Sequence, residues 1–243
     1  MIDQVDVLDH GYVKLIDSWG RLSVEEAVGD EVFVAAARMS TDKGFQGWGD
    51  ETKAGDEKLL AYLYNHKHMS PFEMGGATFE VQAPIFVFRE WVRHRTLSLN
   101  ELSARYAPLP DVNFVPTVAR IIGTDEPVSS NKQAGTLAGL PRVQEQLIAE
   151  RWRASLKVMY EQCEQVYQQG LVLGIPKELA RSIVPVGRYS RMRVSANFRN
   201  WLAFLALRND AAAQTEIREY AIVIQKMLAE LFPRTVALFT ASL

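Results

Sequence analysis

ATFEVQAPIFVFREWVRHRTLSLNELSARY (Ala77–Tyr106) changes pattern twice within 30 residues. In ATFEVQA (77–83), Phe79 and Val81 alternate with polar positions, the period of a half-buried strand. Pro84 suits the first position of a helix, and PIFVFREWVRHR (84–95) then reads as a mostly buried helix. Its last residues begin RHRTLSLNELSARY (93–106), where Arg93, His94, Arg95 and Arg105 gather around one acid, Glu101. The whole chain carries a net charge of −2, so this concentration of cations needs a local explanation.

The flanking segments predict the rest of the fold. GYVKLID (11–17) and RYSRMRVSANF (188–198) alternate as strands. Ser23 and Glu26 have capping-box spacing ahead of a helix, EVFVAAARMS (31–40). DEKLLAYLYNHKH (56–68) predicts a helix with Leu59, Leu60 and Leu63 on one face. A long helix should run from about 142 to 169 and stop at Gly170. PKELARSIVP starts a short helix at Pro176, and the chain from about 200 should be helical until Pro233. Residues 41–55, rich in glycine and polar groups, read as a mobile loop, and 124–141 as a polar linker. The expected class is α+β: a small, mostly antiparallel sheet packed with several helices, in a single domain over 1–243.

Composition narrows the function. Apolar residues make up 48% of the 243, ample for a core. A net charge of −2 argues against a general nucleic-acid surface. Cys163 is the one cysteine, so no internal disulfide and no Cys-rich zinc site can form, and a reducing cytoplasm fits. No stretch approaches the ~18–20 apolar residues of a membrane span. MIDQVDVLDH lacks the apolar run of a signal peptide.

The candidate chemistry is cationic. Neither GxGxxG after a strand nor GxxxxGK[ST] is present, so side chains must hold any phosphate. Arg93, His94 and Arg95 at a helix end would also suit the helix dipole. From Arg181 to Arg208 there are six arginines (181, 188, 191, 193, 199 and 208) and no acid. Arginine binds phosphate and carboxylate bidentately, so two such segments imply a polyanionic ligand, such as a nucleotide together with a dinucleotide cofactor. His66, His68 and Glu73 have ligand chemistry, but arginine-rich surroundings oppose a dication, so no metal is expected. Cys163 lies in the acidic helical context YEQCEQVYQQ, unfavourable for a thiolate nucleophile. Ser103 has no GxSxG elbow, and its hydroxyl suits a phosphate contact.

RHRTLSLNELSARY closely resembles the RHRxxSxNExSxRY signature of the flavin-dependent thymidylate synthases. AARMS (36–40), HKHMSPFE (66–73), APIFVFREWVRHR (83–95), PKELARSIVP (176–185) and FRNWLAFLALRNDAAAQTEI (198–217) resemble further family segments, in family order. The resemblance implies FAD-dependent reductive methylation of dUMP to dTMP. Carbon comes from 5,10-methylenetetrahydrofolate and electrons from NADPH, with no cysteine nucleophile. It also implies a homotetramer whose sites are shared between subunits, without nucleic-acid or membrane partners.

Carried over by residue, Ser40, Ser70, Glu73, Arg93, His94, Arg95, Thr96, Glu101, Asn197 and Arg199 should hold FAD. Glu90, Arg93, Glu101, Ser103, Ala104 and Arg105 should bind dUMP. Arg181, from a neighbouring subunit, should complete the phosphate clamp, and Arg208 should hold the uracil carbonyl edge. The catalytic group would be Arg208, Ser103 and Glu101. Four positions depart from the family pattern: Glu90 for a glutamine, Ala104 for a glycine, Ala203 for an asparagine and Ala212 for a histidine. Alanine at 104 would be strained if the loop needs a positive φ there.

Overall fold

The computed structural model describes residues 3–50, 52–123, 136–137 and 139–243. Most of the expected 124–141 linker, and residue 51 of the 41–55 loop, lie outside the described residues. The elements in order are β1 (Gln4–Val7), β2 (Gly11–Trp19), α1 (Glu31–Arg38), α2 (Glu57–Asn65), β3 (Gly76–Pro84), α3 (Ile85–Trp91) and β4 (Ser98–Glu101). They continue with α4 (Val118–Ile122), α5 (Arg142–Val172), α6 (Lys177–Ala180), β5 (Tyr189–Asn197), α7 (Phe198–Arg208), α8 (Thr215–Leu231) and α9 (Pro233–Ala241). The class is α+β, as expected.

The five strands lie in the order β1-β2-β3-β5-β4, every neighbouring pair antiparallel. Alternation sorts the two faces. Val13, Phe79, Val81, Met192 and Val194 are buried beneath the helices. On the other face Tyr12 donates to Glu80 at 2.9 Å and Arg193 pairs with Glu80 at 3.5 Å. Trp201 of α7 seats α7 on the sheet, edge-on to Phe79 at 5.1 Å and donating from Nε1 to the Ala77 carbonyl at 3.0 Å.

A second aromatic group holds the parts that carry the site. Phe33 of α1 lies 5.1 Å from Phe72, 5.3 Å from Phe198 and 5.0 Å from Phe232. Each such pair adds about 0.5–1.5 kcal/mol beyond burial. The cluster locks α1, the tight 3-10 turn Ser70–Glu73 and the start of α7 together.

Several boundaries differ from the sequence reading. Ser23 and Glu26 form only a turn, and α1 begins after Asp30. Asp30 does not cap its own helix. Its buried carboxylate accepts from the backbone N–H of Arg234 at 2.8 Å and of Thr235 at 3.0 Å, capping α9. Pro84 ends β3 as well as preceding α3, and α3 stops at Trp91. Arg93 and His94 therefore lie in a turn, their N–H groups bonded to Glu90 and Trp91 carbonyls. The middle of the arginine motif forms an unanticipated strand, β4.

Helix α5 continues through Gly170 and ends before Gly174, whose φ of +79° suits glycine. The helical run after 200 breaks between α7 and α8, and Pro233 starts α9 instead of ending a helix. The described part of 41–55 is irregular yet anchored: Trp48 Nε1 donates to Glu31 at 2.8 Å, and the Arg234 guanidinium sits 4.3 Å from the Trp48 ring.

Candidate functional site

Helices α3 and α7 carry the first part of the site. Arg208, in the last turn of α7, donates from Nε to His94 Nε2 at 2.8 Å and from Nη2 to the Glu90 carbonyl at 3.1 Å. Its Nη1 pairs with the Glu90 carboxylate. A guanidinium has only donors, so His94 Nε2 accepts and the ring proton resides on Nδ1. Burial, and then the Arg208 charge, push the imidazole down to about 4, so it is neutral near pH 7. Phe204 meets the ring edge-on at 4.9 Å.

The second part is a cavity of about 420 Å³, lined by Glu101, Ser103, Ala104, Arg89 and Arg181, with Ile85, Leu102, Leu109, Val184 and Val186 as apolar walls. Ser103 Oγ accepts from the Arg105 N–H at 3.4 Å, which leaves the hydroxyl proton free to donate. Ala104 is not among the residues at positive φ, so alanine in place of glycine adds no backbone strain. Arg181, expected from a neighbouring subunit, lines the same cavity as Ser103 of its own chain. Arg105 does not line it. Its Nε lies 3.4 Å from Glu178, whose backbone carbonyl accepts from Arg181 Nε at 3.4 Å.

The third part lies around the start of α7. Arg199 pairs with Glu73 at 2.5 Å across the turn that begins at Ser70. Asn197 caps α7, its Oδ1 accepting from the Asn200 N–H at 3.0 Å, and Asn200 Nδ2 donates to the Thr96 carbonyl at 3.3 Å. Ser40 is exposed beyond the end of α1 and bonds to the Ala37 carbonyl at 2.9 Å. The side chains of Arg93 and Arg95 make no hydrogen bond or ion pair among the described residues.

Thus Glu101, Ser103, Ala104 and Arg181 converge on one cavity, while Glu90, His94 and Arg208 form a network that does not line it. Sequence reasoning missed Arg89 and Asn200. Arg89 did have a signal, a cation directly after the apolar run IFVF. Asn200 had none, because its partner Thr96 comes close only through the fold. No cluster of three or more metal-ligating side chains occurs among the described residues. His66 instead stacks on Tyr62, ring centroids 4.0 Å apart. A larger cavity of about 580 Å³, near Asp30 and Arg234, contains none of the motif residues, so size does not select the site. No helix among the described residues is long and apolar enough to cross a membrane.

The chain is similar to known proteins along most of its length. The family described as thymidylate synthase complementing protein matches residues 21–234. A flavin-dependent thymidylate synthase of Anaplasma marginale is 38% identical over 236 residues, which is 97% of this chain and 74% of that protein. Another, from Thermosipho melanesiensis, is 37% identical over 232 residues, covering 94% of this chain and 90% of that protein. A solved structure of a UMP/dUMP methylase, PolB from Streptomyces cacaoi bound with 5-Br UMP, is similar with a TM-score of 0.75 and 31% identity. That match covers 98% of this chain and 96% of the other.

Proposed function

Because the chain belongs to the flavin-dependent thymidylate synthase family, we propose that it methylates dUMP to dTMP with FAD as cofactor. The carbon donor in this reading is 5,10-methylenetetrahydrofolate and the reductant NADPH. The observation that carries it is the cavity of about 420 Å³ in which Glu101, Ser103, Ala104 and Arg181 converge. Its volume falls in the usual range for small-molecule sites, about 300–1,000 Å³.

The donor chemistry fits both ligands. The guanidinium groups of Arg93 and Arg95, free of protein partners among the described residues, match a pyrophosphate, and with His94, Thr96, Asn197, Arg199, Ser40, Ser70 and Glu73 they would hold FAD. When bound, FAD supplies the redox chemistry of the reaction. Ser103, Arg105 and Arg181 would bind the dUMP phosphate, and Ala104 would line the same loop. Arg208 would hold the uracil carbonyl edge, where a fixed cation stabilises negative charge developing in the ring as C5 reacts. Glu90 orients Arg208, Glu101 is assigned near both ligands, and Cys163 takes no part.

A homotetramer with shared sites is part of the proposal. The cavity residues and the Arg208 network occupy different places in one chain, and a neighbouring copy would bring one to the other. Helix α5 supports such packing. Ile148, Trp152, Met159 and Val166 are exposed and recur at helical spacing along one stripe. The reaction would take place in the cytoplasm, without nucleic-acid or membrane partners.

The test is product formation. Purified protein supplied with FAD, NADPH and 5,10-methylenetetrahydrofolate should convert dUMP to dTMP, resolved by chromatography, with UMP as the first alternative substrate. No nucleotide product under these conditions would contradict the proposal.

A further inference from the structure

We propose that Arg89 is a further anion-binding residue of the nucleotide cavity, placing its guanidinium on the phosphate of the bound nucleotide. This rests on reading that cavity as the dUMP site. Packing fixes where Arg89 points. Val87, Phe88 and Trp91 are buried on the core side of α3, which sets the helix rotation and leaves Arg89 outward, lining the same cavity as Ser103 and Arg181. Its neighbour Glu90 faces a different way, toward Arg208.

The pairing of the arginines leaves Arg89 available at the cavity. Arg105 is shared with Glu178, Arg199 with Glu73, Arg208 with Glu90 and Arg188 with Asp111 and Glu164. The Arg89 side chain makes no hydrogen bond or ion pair among the described residues. It also lies on a helix packed on the core through Val87, Phe88 and Trp91. A cation carried on a packed helix without an internal counter-charge is available to an anion without first breaking an ion pair. Together with Arg181 and the free Ser103 proton it makes that wall donor-rich, against one carboxylate, Glu101. That donor set selects a phosphate monoester over an uncharged nucleoside.

The experiment is calorimetric titration of the full chain, loaded with FAD, with dUMP and with deoxyuridine. In Arg89→Ala, dUMP affinity should fall about 10- to 100-fold, the range for a charge-assisted hydrogen bond. Deoxyuridine affinity should be unchanged. Arg89→Lys should recover part of the loss, since lysine binds phosphate as a point charge. Wild-type dUMP affinity in Arg89→Ala, or equal losses for dUMP and deoxyuridine, would overturn the assignment while leaving the cavity as the nucleotide site. Wild-type protein that binds neither ligand would overturn the reading of the cavity itself, and the assignment with it.

Discussion

Arg208 and His94 share a 2.8 Å hydrogen bond in which the guanidinium donates and the imidazole accepts. The bond requires a neutral ring with its proton on Nδ1. His94 should therefore stay neutral in the folded protein down to about pH 4, against an ordinary value of 6.5. Between those values the unfolded chain binds a proton that the folded chain refuses. The contribution is complete above the ordinary value, and stability falls as pH drops through the window. Imidazole resonances followed by NMR test this; a ring titrating near its ordinary value would contradict it, and Arg208→Ala should move it in that direction.

Arg105 and Glu178 form an exposed pair at 3.4 Å, and the phosphate of dUMP would compete with Glu178 for that guanidinium. Arg105→Ala should weaken dUMP binding severely while FAD binding survives. Glu178→Gln should strengthen dUMP binding only a few-fold, because exposed pairs are worth about 0.2–1 kcal/mol. Titration of both variants checks this. Unchanged dUMP affinity in Arg105→Ala would remove Arg105 from the phosphate site.

Much of this was legible in sequence where chemistry and order along the chain coincide. The alternation of 77–83 and 188–198 marked two strands, and the fold sets them side by side with Phe79 opposite Val194. The motif at 93–106 supplied four of the cavity residues, Glu101, Leu102, Ser103 and Ala104. What the sequence hid depends on partners distant along the chain. Asp30 directly precedes α1, yet its hydrogen-bond partners are in α9. Arg105 looks like an unopposed cation until α6 brings Glu178 beside it. SLNE became a strand because β5 offered it an edge, which no local propensity reports.

The Asp30 carboxylate links the entry of α1 to the first turn of α9. Asp30→Ala should leave buried N–H donors without acceptors and cost roughly 2–4 kcal/mol. The urea midpoint should fall with little change in slope. Asp30→Asn, which keeps one acceptor oxygen, should lose less. A midpoint unchanged in the alanine variant would show that α9 does not depend on this cap.

The exposed stripe of α5 should be covered in the assembled protein. Introducing charge with Trp152→Glu and Met159→Glu should shift a tetramer to smaller species in light scattering coupled to size exclusion, with little loss of helix content. A wild-type protein that is monomeric, or a tetramer unaffected by both substitutions, would contradict the shared-site arrangement.

The most direct test of the flavin-dependent reaction is tritium release from [5-³H]-dUMP by the purified protein, with FAD, 5,10-methylenetetrahydrofolate and NADPH each omitted in turn. The expected result is sustained release only when all three are present. Equal release without FAD, or no release with the full set while dUMP and flavin remain bound, would contradict it.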